Sequence, residues 1–475
     1  MACNSGYCKS GCNGVGGEDE DWRPATQNGE TSNSASPGCG DSEPSTDCNA
    51  RCIKCKVNET ISPSFPSIAG GGDVGRFCID CFRGNLFGKF RFAVTSNAMI
   101  LPSDNILVAF SGGASSRVAL EFVHKMQQKA QKNFDASRDR SLPVFGVGVA
   151  FIDERASFAF PSNDFDRAIN EMSLTVASLA PPAKQFHFVP TEMIFSPNCA
   201  AGRAKLTELI TAIDDVTGKE DFLEHLRMLS LQKIAMENGY TKIVLGTCTS
   251  RIACHVLEAT VKGQGFSLAA DIQYADARWE IPVVLPLRDC LYEEMNMLCS
   301  LDSLKILEAL SQPRCGINGL ISAFVKLLQE ENPSRESTIV RTAGKLTPFC
   351  FNTVPEVDDR KGQLASQRRH KKYNLKLNES LPPESFCLIC RSPLMKSDVT
   401  ALNGFVDAGS ITEILLGTCP SCQYQILPKD PLSLEHFHSL LPQSMTSLVK
   451  HNDNNQKCLR EQIQDCLLSD CDEEA

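Results

Sequence analysis

The sequence lacks three things, and each absence narrows its class. It has no apolar run approaching the roughly 20 residues needed to cross a bilayer, so no membrane-spanning helix is expected. Its first residues, Met-Ala-Cys-Asn-Ser-Gly-Tyr-Cys, show no basic stretch followed by an apolar one, so no export signal is expected. It has no excess of positive charge: 47 Lys and Arg face 57 Asp and Glu, a net charge of −10. Any nucleic-acid contact must then come from local basic patches, against an unfavourable overall field. What the chain has instead is cysteine, 23 in 475 residues. Without an export signal these fit a reducing compartment, as thiolates or zinc ligands. With 42% hydrophobic and 22% charged residues, the remainder reads as an ordinary globular chain with room for two or three domains.

Residues 1–50 are rich in Gly, Ser, Asn, Asp and Glu, and their composition predicts a disordered tail. Its Cys3, Cys8, Cys12, Cys39 and Cys48 are irregularly spaced and read as stray thiols. Two later groups are regular. Cys52-Ile-Lys-Cys55 and Cys78-Ile-Asp-Cys81 fall in a module over 51–100, and Cys387-Leu-Ile-Cys390 and Cys419-Pro-Ser-Cys422 in a module over 381–445. Two C-x2-C turns supply four thiolates to a tetrahedron, the pattern of a zinc ribbon. Four cysteines leave no open coordination position, so a structural ion is expected. A redox C-x2-C is the alternative, but it opens a helix in a thioredoxin-like unit, which Pro63, Pro66 and Gly70 to Gly72 do not suggest.

Between these modules, 101–335 reads as an α/β domain with a parallel sheet. Strands are predicted at Ile106–Phe110, Val144–Ile152, Phe186–Val189 and Ile243–Gly246, and helices at Ser116–Ala130, Phe165–Ser178, Ala204–Ile213 and Phe222–Asn238. Ile106 to Phe110 is an unbroken apolar run, as in a strand buried on both faces. Ser111-Gly112-Gly113-Ala114-Ser115-Ser116 follows, then a helix. A strand, a glycine turn and a helix start make a phosphate cradle in outline, although any α/β protein has such turns. Ligands of such sheets bind at the carboxyl ends of the strands. The positions to inspect are therefore Ser111–Ser116, Asp153-Glu154 and Gly246-Thr247-Cys248-Thr249. Asp153 reads either as a ribose or base contact or as a helix cap.

Arg83 to Asn97 interleaves Arg83, Lys89 and Arg91 with Phe87, Phe90 and Phe92, which suits an RNA contact or, preferably, a helix packed on the next domain. Pro282–Leu285 reads as a strand, a helix starts near Tyr292, and Leu304 to Leu328 looks helical with a turn at Pro313–Gly316. Residues 336–380 form a polar, basic linker with the run Arg368-Arg369-His370-Lys371-Lys372, which reads as an RNA-phosphate contact, a localisation signal or a solvated linker. Residues 446–475 end in acids, Asp470 to Glu474, and read as a mobile tail.

The combination resembles the cytoplasmic tRNA 2-thiolation protein 2 family, the second subunit of the cytosolic thiouridylase. The resemblance runs from Cys52 to Cys422. It rests on Cys52-Ile-Lys-Cys55-Lys, Phe77-Cys-Ile-Asp-Cys-Phe82, Lys89-Phe-Arg, Val108-Ala-Phe-Ser-Gly-Gly-Ala-Ser-Ser116, Phe151-Ile-Asp-Glu154 and Pro286-Leu-Arg-Asp289. It implies a HUP-type (PP-loop) domain, related to ATP pyrophosphatases whose loop holds ATP phosphates while a tRNA uridine is adenylated and then thiolated. It also implies a catalytic partner subunit, tRNA, a thiocarboxylated ubiquitin-related modifier as sulfur donor, and a cytoplasmic location. The implied nucleotide residues are Ser111, Gly112, Gly113, Ser115, Ser116 and Asp153.

The chain departs from the active pattern in three places. Ser115 stands where active enzymes carry Asp, and a neutral hydroxyl is a poor ligand for Mg²⁺. The Leu-Gly-His-x-x-Asp-Asp signature is here Leu245-Gly246-Thr-Cys248-Thr-Ser-Arg251, without its acids. The expected cysteine is missing from Phe222-Leu-Glu-His-Leu-Arg-Met-Leu. Cys248 and Cys254 remain as weak nucleophile candidates. The reading is a non-catalytic or weakly catalytic subunit in which ATP binding is retained or lost. Two alternatives stand beside it: an ATP-dependent sulfurtransferase using Cys248 or Cys254, and a zinc-ribbon RNA-binding scaffold with no nucleotide site.

Overall fold

The structure is a computed structural model and describes residues 51–61, 76–137, 143–158, 162–307, 314–332, 334–346, 385–394 and 414–446. The N-terminal tail with its five cysteines, the basic run at 368–372 and the acidic C-terminus lie outside the described residues.

The centre is a six-stranded sheet built from β1 (Asn105–Ala109), β2 (Gly146–Asp153), β3 (Gln185–Pro190), β4 (Lys242–Val244), β5 (Ala275–Asp276) and β6 (Val283–Val284). The strand order is β3-β2-β1-β4-β6-β5. Every neighbouring pair is parallel except β5 and β6, where the short β5 adds an antiparallel edge. This is the parallel α/β sheet that the strand–helix alternation predicts.

The apolar run of β1 is explained by burial on both faces. Leu107 packs with Ala150, Ile152, Ile243 and Val283 on one side. Ile106 and Val108 pack with Val147, Val149, Phe151, Val244 and Val284 on the other. Successive residues of a strand point to opposite faces, so a central strand needs apolar residues at every position.

The helices are α1 (Ile79–Ser96), α2 (Ala114–Ala136), α3 (Ser162–Ser178), α4 (Cys199–Ala212), α5 (Val216–Glu237), α6 (Thr249–Val261), α7 (Gly265–Asp271), α8 (Tyr292–Leu301), α9 (Gly316–Glu331), α10 (Ser334–Ala343), α11 (Pro420–Gln425) and α12 (Pro431–Leu440). The first face of the sheet is covered by α4, α5 and α6 through Leu206, Phe222, Leu226 and Ile252. The other is covered by α1, α2, α3 and α8 through Phe90, Phe122, Met172 and Leu298. Local chemistry fixes several helix starts. The Asn198, Asp215 and Asp430 side chains accept backbone N–H bonds at the beginnings of α4, α5 and α12, and Pro431 occupies the first turn of α12.

A two-stranded hairpin, β7 (Ser385–Phe386) with β8 (Pro393–Leu394), joins α11 and α12 on the α5 side. Phe437 of α12 meets Phe222 of α5 with ring centroids 5.9 Å apart. Gly218 lets α5 lie against the Gln425 carbonyl, where a Cβ would overlap the oxygen. At the far end of the sheet Gly148 serves a similar purpose. A side chain there would overlap the Tyr240 hydroxyl, which sits 2.8 Å from His187 Nε2.

Two stretches differ from the sequence expectation. Of the stretch expected to be helical over Leu304–Leu328, Leu304 to Leu307 is not helical, while α9 is helical from Gly316. The Leu307 N–H donates instead to the Gly112 carbonyl at 2.9 Å, so the segment is drawn out by the glycine turn. The start of the polar stretch after 331 is helical. In α10 only Glu336, Val340 and Ala343 are buried, a face too narrow to stand out in a charged sequence.

Candidate functional site

The strand order reverses between β1 and β4, and the carboxyl ends of these two strands form the crevice where ligands of open α/β sheets bind. Sequence places the Ser-Gly-Gly turn on one side of it and Gly246 to Thr249 on the other, and the structure brings them together. Gly112 has φ +85°, a conformation that favours glycine. Gly246 is required by contact: a Cβ there would stand 2.7 Å from Ser116 N and Cα. The β4 turn therefore rests directly on the first turn of α2.

The Ser111 and Ser116 hydroxyls of the turn are spent on one another. The Ser116 hydroxyl donates to the Gly113 carbonyl at 3.0 Å, accepts the Ser111 N–H at 3.3 Å and lies 3.1 Å from the Ser111 hydroxyl. Ser115, at the position of the missing acid, stands beside the Cys248 thiol and lowers its pKa against the larger, opposing effect of burial. Asp153 ends β2 nearby but is turned inward. Its carboxylate accepts the Arg155 backbone N–H at 2.9 Å and the Arg155 guanidinium at 2.8 Å. That is an Asx turn locked by an ion pair, not a helix cap. Glu154 is held by two bonds from Arg227, at 2.6 and 2.9 Å.

The two cysteines near the crevice are buried. Cys248 precedes α6 with 3% exposure, and burial raises its thiol pKa above the ordinary range. Cys254 lies further along α6, and burial followed by the Glu258 charge pushes its pKa up to about 11. A reactive thiol needs the opposite environment, electropositive and accessible.

Sequence reading misses the neighbours of this crevice. The Ser250 hydroxyl accepts the Tyr292 N–H and donates to Glu336 of α10 at 2.5 Å. Burial raises the pKa of the Glu336 carboxyl. Arg251 and Arg314 approach Glu224, and Arg314 also pairs with Glu258. The only sequence signal is Glu220, Glu224 and Arg227 at helical spacing along α5; their partners lie far away in the chain.

Both cysteine quartets come together, away from the crevice. In each, the four Sγ atoms lie within 4.8 Å of one another. The two share a construction. The first pair closes a turn, Lys56 N–H to Cys52 O at 2.9 Å and Arg391 N–H to Cys387 O at 3.0 Å, with the residue after the second cysteine at φ +58° or +57°. The second pair starts a helix, Cys78 preceding α1 and Cys419 preceding α11. Helix starts favour thiolates.

The Sγ atoms lie 3.8 Å apart for Cys55–Cys78 and 3.5 Å apart for Cys390–Cys419. A tetrahedral ion with metal–sulfur bonds of about 2.3 Å sets sulfurs about 3.8 Å apart. Burial opposes ionisation of Cys52, yet N–H groups of Cys55, Cys78 and Lys54 bring its thiol down to about 6. Cys81 is pushed up to about 12 by burial and then by the other three sulfurs. In the second quartet burial again opposes ionisation of Cys387, which the Cys390, Cys419 and Cys422 thiols hold well below the usual range. Sharing with Cys387 and the other sulfurs raises Cys390 and Cys422. Four sulfurs that suppress one another's ionisation are the donor set that a dication stabilises.

Helix α1 packs on the sheet domain. Phe87 and Phe90 meet Phe122 at 5.3 and 5.4 Å, Lys89 binds Glu294 at 2.6 Å and Arg83 binds Asp302 at 2.6 Å. Arg91 and Phe92 remain exposed.

No protein-family model matches the sequence. A protein of Arabidopsis thaliana named cytoplasmic tRNA 2-thiolation protein 2 is 54% identical over 474 residues, covering 100% of both chains. The chain belongs to the cytoplasmic tRNA 2-thiolation protein 2 family. Further tRNA 2-thiolation proteins 2 match it from Oryza sativa subsp. indica, 50% identical over 86% of this chain and 88% of that protein, and from Homo sapiens, 25% identical over 62% and 67%. Among solved structures, the U34-tRNA thiolase NcsA of Methanococcus maripaludis, with its 4Fe-4S cluster, aligns with a TM-score of 0.47 at 14% identity, over 66% of this chain and 92% of that one.

Proposed function

We propose that this chain is a non-catalytic subunit of the cytosolic tRNA thiolation complex. In this reading it pairs with a catalytic thiouridylase subunit as a heterodimer in the cytoplasm and helps to hold tRNA. The reaction it serves is 2-thiolation of the wobble uridine in lysine, glutamine and glutamate tRNAs, on the way to 5-methoxycarbonylmethyl-2-thiouridine. Sulfur comes from a thiocarboxylated ubiquitin-related modifier. The names of its relatives support the pathway. The observation that carries the non-catalytic role is the Ser111–Ser116 turn, whose Ser111 and Ser116 hydroxyls bond to each other and to the Gly113 carbonyl. The carboxylates at the end of β2, Asp153 and Glu154, are each held by an arginine. An ATP-cleaving turn needs oxygen anions to hold Mg²⁺ and pyrophosphate, and these two are already spent on ion pairs.

Each cysteine quartet holds one structural zinc ion in this reading: Cys52, Cys55, Cys78 and Cys81 in the first, and Cys387, Cys390, Cys419 and Cys422 in the second. The first pins the start of α1 to the turn at Cys52. The second fastens the C-terminal hairpin and α11 to the core beside α5. The test is ATP-dependent tRNA thiolation by the purified chain, alone and with its catalytic partner. Thiolation only in the presence of the partner is expected. Full thiolation by this chain alone overturns the proposal.

A further inference from the structure

The outer face of α9 carries three large apolar side chains in the open: Leu320, Phe324 and Leu327, 74%, 51% and 60% exposed. They stand at i, i+4 and i+7 and form one ridge, while Ile321 and Val325 of the same helix are buried beneath it. The other exposed large apolar residues of the helices do not form such a run among the described residues. A contiguous apolar ridge of this kind marks a docking surface.

The surroundings indicate what docks there. Lys326 on α9 and Arg341 and Lys345 at the end of α10 are exposed, and no ion pair holds them among the described residues, whereas Arg335 is paired with Glu331. The occupant must therefore present an apolar ridge followed by acids. The chain carries such a stretch beyond its described part. Leu459, Ile463 and Leu467 repeat at i, i+4 and i+8, and Asp470, Asp472, Glu473 and Glu474 follow.

We infer that the C-terminal segment 459–474 of this chain covers the α9 ridge, with Leu459, Ile463 and Leu467 against Leu320, Phe324 and Leu327 and its acids against Lys326, Arg341 and Lys345. Twelve residues, 447–458, lie between the described part and Leu459, and they reach up to about 40 Å. Met445 belongs to the same core cluster as Ile321 and Val325 beneath the ridge. The stretch 347–384, which continues directly from α10, is the length of chain nearest to it in sequence. Its Arg360, Lys361, Arg368, Arg369, Lys371 and Lys372 repel the same lysines and arginine.

The test uses the full chain and a zero-length carbodiimide cross-linker, which joins carboxylates to amines in direct contact, with the linked peptides identified by mass spectrometry. The expected result is amide links from Asp470–Glu474 to Lys326 or Lys345. In a mixture of light and isotope-labelled chains these links stay within one copy. Ile463→Asp with Leu467→Asp, and separately Leu320→Asp with Phe324→Asp, lower their yield about tenfold. Leu320 and Phe324 are exposed on α9, so the circular dichroism spectrum of that double variant stays unchanged. Links only between light and heavy copies place a second copy on the ridge and overturn the inference. So does an undiminished yield in either double variant, or acids linked equally to lysines elsewhere.

Discussion

Gly246→Ala perturbs the crevice at its tightest point. The added Cβ would stand 2.7 Å from Ser116 N and Cα and 2.8 Å from the Ser115 carbonyl carbon. These are backbone atoms of the first turn of α2, so no side chain can swing aside. Ordinary contact begins near 3.4 Å, and the two segments must part by about 0.7 Å. Neither moves alone. β4 is hydrogen-bonded to both β1 and β6, and the start of α2 is tied through Ser116 to Gly113 and Ser111. Overpacking of this kind costs about 1–3 kcal/mol, and the midpoint of thermal unfolding should fall by a few degrees. The control is Gly265→Ala, where nothing lies within 4 Å of the new Cβ. Circular dichroism melts of the three proteins decide the matter. Alkylation of native Cys248 should also rise as its contact with Ser115 opens. A Gly246→Ala melt that superimposes on the control refutes the close approach of β4 to α2, and with it the account of why glycine stands there.

Three other outcomes are expected. Gly84→Ala and Gly88→Ala, in the interior of α1 with nothing within 4 Å, should each stabilise by about 0.5–1 kcal/mol by lowering unfolded-chain entropy, read from the same melts. Lys184 is held by the Leu179 and Pro182 carbonyls and His124, and burial lowers its pKa to about 8. Between about pH 8 and 10.5 the unfolded chain binds this proton more tightly than the folded one, so the stability of the native protein relative to Lys184→Met should rise with pH across that window and stay level below it. Brief alkylation of the native chain near pH 7.5 should label exposed Cys199 and spare Cys248 and Cys254; rapid labelling of Cys254 would contradict the burial described here.

The parts of the fold that declare themselves in the sequence do so through periodicity and spacing. Ile106 to Phe110 is apolar at every position because both faces of β1 are buried, and the Gly112 turn follows because only glycine suits φ +85° without cost. The cysteine quartets are visible because each pair is confined to a four-residue turn or helix start. What sequence does not reveal is decided by distant partners. Leu304 to Leu307 has an apolar pattern that suits a helix, but Gly112 takes its hydrogen bond. Helix α10 buries too few residues to give a signal. Asp153 looks like a free acid at a strand end until Arg155, two residues on, folds back over it. Gly246 reads as part of a degenerate motif, and only the structure gives its steric reason.

The account rests on the claim that the crevice of this chain performs no chemistry. Its most direct test is tRNA thiolation by the assembled complex carrying Cys248→Ser, Cys254→Ser or Ser115→Ala in this chain, with assembly verified by gel filtration. The account predicts rates within about twofold of the unmodified complex. A loss of about 100-fold or more in an intact complex would make one of these groups a participant in the reaction and contradict it.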